Sequence, residues 1–230
     1  MASSGVSGRT IRVTMKLVSK TCVAGSRPST KFSAMDSTIE NPAKTLLQQA
    51  LTHGTVALVL ACLLTLVNLW ELAANTRYAS CVAAAWAFLC GLGFSHIIHE
   101  WCHYAGARLA KSAITLKPKI QPLFFDFDFA TNTSRQFLYL SLGGLVGNFL
   151  LLTLLLYSPV KDSIAMTSLL AAVLGQLIFV LLLELPVSVE VMRGKDPLAA
   201  LTAHFEQGGS LFLRAGLGGI GAAALVFLLY

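Results

Sequence analysis

The stretch Ser95-His96-Ile97-Ile98-His99-Glu100-Trp101-Cys102-His103 places three histidines and a glutamate at the end of a long apolar run. On a helix, residues four apart lie one turn apart on one face, so His99 and His103 can offer imidazole nitrogens to a single ion. Two corners of a tetrahedron are then filled. Glu100, beside the first of them, stands where a carboxylate can take a proton from water at the ion and later pass it to a leaving amine. The pattern His99-Glu100-x-x-His103 thus supplies metal ligands and a general base together, which is the chemistry of hydrolysis. Ionisable groups inside a bilayer cost roughly 3 kcal/mol each unless paired or ligated, so three within five residues need a reason. A helix end already at the headgroups would be the bland one. His96 shares the face, but a straight helix spreads His96 to His103 over roughly 10 Å, too far for one ion. It reads as a residue that packs beside the ligands or bonds to them.

The elements that must position this cluster are apolar. The chain has 230 residues, 55% hydrophobic and 12% charged, with a mean hydropathy of +0.70. Charge so sparse is about half the share of a soluble domain and marks an integral membrane protein. The formal charge of +6 does not signal nucleic acid. Arg9, Arg12, Lys16, Lys20, Arg27 and Lys31 lie in a segment of residues 1–34 without acids, and the remainder is neutral. Residues 1–45 are expected to be a disordered basic tail. Its composition suits an organellar transit peptide, while Met35-Asp36 suits an upstream start, and the second is favoured slightly. Residues 46–230 form the membrane domain. Cys22, Cys62, Cys81, Cys90 and Cys102 include no CxxC pair and imply neither disulfides nor a cysteine zinc site. Cys102 falls between the ligands on the helical wheel, as a small packing residue.

Five apolar runs are long enough to span a bilayer: about 55–74, 79–103, 138–157, 164–186 and 211–230. The expected fold is therefore an all-α membrane protein of about five transmembrane helices. Arg108, Lys111, Lys117, Lys119 and Arg135 follow the second run, and Arg193 and Lys195 follow the fourth. Positive charge puts these loops, and the motif end of the second span, on the cytoplasmic, matrix or stromal side. Residues 114–130 alternate and carry Pro118 and Pro122, predicting a short β-hairpin or edge strand at the membrane surface. Such a segment is either a connector or a strand that pairs with an unwound substrate. Gly143-Gly144-x-x-Gly147-Asn148 predicts close helix packing with an amide inside the bundle.

Catalytic zinc wants a third protein ligand and an open position. The fourth span runs in the same direction as the second, and Glu184, about 20 residues into it by the helical rise, matches His99 in depth. Pro186 is expected to break the helix just after. Glu190 and Asp196 reach the ion only if the chain beyond Pro186 re-enters the protein. Asp126 and Asp128 are weaker competitors.

The segment HEWCHYAGARLA resembles the site-2 protease family of intramembrane zinc metalloproteases, whose motif continues to an Ala-Arg matched by Ala107 and Arg108. Gly144-x-x-Gly147-Asn148 is similar to that family's Gly-Pro-x-x-Asn segment, and 176–186 to its run ending in Asn-x-x-Pro. The resemblance spans roughly residues 80–200 and is strong at the first motif. It implies zinc on His99 and His103, Glu100 as catalytic base, and peptide-bond hydrolysis in transmembrane or membrane-adjacent substrates of a bacterial inner membrane or an organellar membrane. The family's Leu-Asp-Gly, which supplies its metal-binding aspartate, has no counterpart; Asp196 is the nearest aspartate, and Glu190 lies closer to register. Helix depth favours Glu184 and the resemblance favours Asp196. The chief alternative is a binding or assembly protein that keeps this scaffold without turnover. A di-iron oxygenase would need more histidines than His53 and His204 add, and a transporter would be expected to show internal repeats.

Overall fold

The computed structural model describes residues 41–118, 123–158 and 163–229. The expected tail lies outside them up to residue 40, as do Lys119 and Pro122. Six helices and one small sheet follow in order: α1 (Pro42–Ala74), α2 (Arg77–Leu109), β1 (Ile114–Leu116), β2 (Phe125–Phe127), α3 (Ser134–Leu156), α4 (Ile164–Met192), α5 (Pro197–Phe205) and α6 (Gly209–Leu229). All but α5 are long and apolar enough to cross a membrane. The protein is a multi-pass membrane protein of helical class.

Local chemistry sets the helix starts. Asn41 accepts from the Ala43 N–H with Pro42 at the first helical position, so the last four residues of the expected tail, 42–45, belong to α1. Thr76 and Ser163 cap α2 and α4 through the N–H groups of Ala79 and Met166. Thr133 and Gln136 form a reciprocal capping box on α3. Between α1 and α2 the chain turns on Asn75, whose φ of 44° is left-handed. Asn tolerates that conformation better than other residues with a side chain.

Helix α4 is central. Half of its most apolar stretch is buried, whereas none of that of α1 is, and α4 packs on α2, α3, α5 and α6. The tightest approach is α2 on α3. A Cβ on Gly106 would strike the Tyr139 carbonyl, and one on Gly143 the Cys102 carbonyl. These two glycines bring the backbones together where the motif lies. At the periphery α1 is tied to α2 and the sheet by polar bonds: Trp101 Nε1 donates to His53 Nδ1 at 3.0 Å, and Gln49 Nε2 to the Lys117 carbonyl at 2.9 Å.

The predicted hairpin is present as an antiparallel pair with Ile114 opposite Phe127 and Leu116 opposite Phe125. It rests on buried Phe124 and Phe125, which stack with Tyr104 and, for Phe124, with Trp101.

Pro186 does not end α4, which continues to Met192. A proline in a membrane helix is tolerated where neighbours satisfy the backbone it disturbs. Here α5 folds back, and the His204 ring lies by the Leu183 carbonyl, next to the carbonyl of Leu182 that Pro186 deprives of its donor. Burial holds the His204 imidazole below its ordinary range, against the pull of that carbonyl.

Candidate metal centre

By the helical rise, His99 lies about 33 Å from the start of α2 and Glu184 about 30 Å from the start of α4. Their side chains meet. His99 Nε2 is 2.9 Å from His103 Nε2 and 2.9 Å from Glu184 Oε1, and His103 Nε2 is 3.2 Å from the same oxygen. Both imidazoles are buried. Gly144 of α3 closes the floor: a Cβ there would lie 2.5 Å from His103 Nε2 and 2.6 Å from His99 Cε1.

Each ring is held from behind. His103 Nδ1 donates to the Leu140 carbonyl at 2.7 Å, which leaves a lone pair on Nε2. His99 Nδ1 is 3.3 Å from Asn148 Nδ2, and the Asn148 Oδ1 accepts from Ser95 Oγ at 3.0 Å. One turn beyond Glu184, Ser188 Oγ meets Ser141 Oγ at 2.8 Å, pinning α4 to α3 at this level.

The donor set fits a tetrahedral divalent ion. Zinc with ligands at about 2.0–2.1 Å has tetrahedral edges of about 3.3 Å, so the triangle needs to open by only a few tenths of an ångström. Two ring nitrogens 2.9 Å apart, with one of them tied as a bare lone pair, are a poor pair without a proton or a cation between them and the carboxylate. Glu184 Oε2 is buried with no partner among the described residues. Two nitrogens and one carboxylate with an open position are a donor set that serves zinc and non-haem iron alike.

Glu100 follows His99 on α2 and makes no hydrogen bond to this triangle among the described residues. Its Oε2 is buried and unpartnered among the described residues, and its Oε1 lies 3.9 Å from Nδ1 of the half-buried His96. It remains within electrostatic reach of His103, His99 and Glu184.

The other acids named from the sequence lie elsewhere. Asp196 is exposed and caps α5 by accepting from the Ala199 N–H at 2.9 Å. Glu190, carried outward by the unbroken α4, pairs with Arg193 and Lys195, each at 3.6 Å. Asp126 pairs with Lys117 at 2.8 Å. Asp128 accepts from the Thr131 hydroxyl and the Ala130 N–H, which hold its carboxyl below the usual range. Cys102 is half-buried, with its Sγ against Gly147. Sequence reasoning missed the Leu140 carbonyl and the bond from Asn148 to His99. A backbone acceptor leaves no mark in a sequence, whereas a lone amide in an apolar span does.

Comparison of the chain with protein-family models, curated proteins and solved structures found no match.

Proposed function

We propose that this chain is an intramembrane zinc metalloprotease of the kind its first motif resembles. The observation that carries the reading is the convergence of His99, His103 and Glu184 from two helices at one depth, with Glu100 beside them. His99 Nε2, His103 Nε2 and Glu184 Oε1 would hold the ion. When bound, a zinc ion there supplies Lewis acidity and a water acidic enough to serve as nucleophile near neutral pH. Glu100 takes the proton of the attacking water on its carboxylate and returns it to the nitrogen of the departing amine. The two histidines are buried and Glu184 is partly exposed, so ligand charges act with less screening than in bulk water while one side of the triangle stays open.

A peptide bond must be extended to be attacked, and β1 offers an edge for that. Lys117 N–H donates to the Phe124 carbonyl and Asp128 N–H to the Ala113 carbonyl, so the ladder uses the odd-numbered residues of this strand. The N–H groups of Ile114 and Leu116 then face the other edge, beside a cleft of about 550 Å³ lined by Pro42, Tyr104, Arg108 and Thr115. A segment of a transmembrane protein, unwound at the interface, is the substrate this suits. The positive charge of the loops after α2 and α4 supports a site on the cytoplasmic, matrix or stromal face, which suits a bacterial inner membrane or an organellar membrane.

The test begins with zinc per chain in detergent-purified protein, wild type against the His99→Ala, His103→Ala double variant. Near-stoichiometric zinc lost in the variant is expected. Cleavage of casein in detergent by wild type, and not by Glu100→Gln carrying the same zinc, is then expected. Equal cleavage by Glu100→Gln refutes the assigned base. Bound zinc without cleavage of casein or of a panel of transmembrane peptides favours the scaffold alternative.

A further inference from the structure

Asn148 is fully buried in α3 and bridges two residues one turn apart on α2, Ser95 and His99, both buried. As arranged, the Ser95 hydroxyl donates to the amide oxygen, and the amide nitrogen donates to the lone pair at His99 Nδ1. The single ring proton of His99 then sits on Nε2, where Glu184 Oε1, 2.9 Å away, accepts it. That is a self-consistent arrangement for His99 without an ion. Ligation through Nε2 requires the opposite tautomer, with the proton on Nδ1 and an acceptor facing it.

The same amide can supply that acceptor. Turning it over exchanges its oxygen and nitrogen in place, so Oδ1 faces the His99 Nδ1–H while Nδ2 donates to Ser95. A hydroxyl both donates and accepts, so Ser95 satisfies either orientation. The second ligand has no such freedom: the Leu140 carbonyl presets His103 with its Nε2 lone pair free. We propose that Asn148 is a positioning residue that holds His99 in its metal-binding tautomer, its amide turning over against Ser95 when the ion arrives. The proposal rests on the metal-site reading above. A neutral amide serves both states and adds no charge inside the membrane.

The test is zinc affinity, measured by competition with a chromophoric chelator on the full chain in detergent, with thermal unfolding of the metal-free protein in parallel. Asn148→Leu removes the acceptor and is expected to weaken zinc by about 10–100-fold. Asn148→Asp keeps a fixed acceptor and is expected to bind zinc at least as tightly as wild type. A purely structural role would make affinity follow stability. The buried carboxylate is the less stable substitution in the metal-free protein, yet it is expected to be the tighter binder. Wild-type affinity in Asn148→Leu overturns the proposal alone. Loss of about tenfold or more in Asn148→Asp also overturns it, and that arm stands even if the leucine variant fails to fold. A wild type that binds no zinc overturns the proposal together with the metalloprotease reading.

Discussion

Replacing Gly144 by alanine tests whether the histidine pair is built around a space reserved for an ion. The added methyl would lie 2.5 Å from His103 Cε1 and Nε2 and 2.6 Å from His99 Cε1. Non-bonded carbon contacts want about 3.5–4.0 Å, so the rings must retreat by roughly 1 Å. They cannot retreat freely, because Leu140 and Asn148, which hold them, belong to the same helix as Gly144. Metal sites tolerate ligand displacements of about 0.2 Å. Overpacking of this kind costs about 1–3 kcal/mol. If the strain falls on the loaded state, zinc affinity drops by about 5–150-fold, at tenfold per 1.4 kcal/mol. Chelator competition on folded Gly144→Ala measures it. Gly216→Ala is the control, since nothing lies within 4 Å of a Cβ there. Wild-type zinc affinity in a folded Gly144→Ala would refute the placement of the ion between these rings.

Glu184→Ala is expected to lose bound zinc, while Asp196→Ala keeps it and loses about 1 kcal/mol of helix capping in thermal unfolding; retention of zinc by Glu184→Ala would remove that residue from the ligand set. Leu116→Pro deletes an N–H on the edge of β1 that does not pair with β2, so zinc content should be unchanged and casein cleavage reduced; full cleavage would show that this edge does not bind substrate. Trp101→Phe removes the donor to His53 and is expected to lower stability by about 1 kcal/mol without changing zinc affinity, with unfolding and chelator competition as the two readouts.

The five spans were legible because a bilayer demands about 20 apolar residues, and nothing soluble imitates that. The convergence of His99 and His103 was legible from spacing alone. Glu184 could be reached by counting helical rise, since two helices heading the same way present equal depths at equal counts. The course of α4 past Pro186 was not legible, because it depends on α5 and His204, whose docking is tertiary. For the same reason Glu190 and Asp196 stayed open as candidates, although α4 carries one outward and the other caps a helix that sequence periodicity did not reveal. Pairings such as Trp101 with His53 join residues far apart in the chain and follow from packing rather than from either residue's neighbours.

Helices α1 and α2 each contain 33 residues, which at the helical rise is about 50 Å. A hydrocarbon layer is about 30 Å thick, so this pair must lean or protrude, and how far it leans depends on the membrane around it. Because α2 carries both histidines, bilayer thickness becomes a variable of the site itself. A thin membrane leaves the triangle nearer the headgroups, and a thick one draws it towards the acyl chains. On the protease reading proposed above, lipid chain length would thereby set how far a substrate segment must rise from its own helix to reach Glu100.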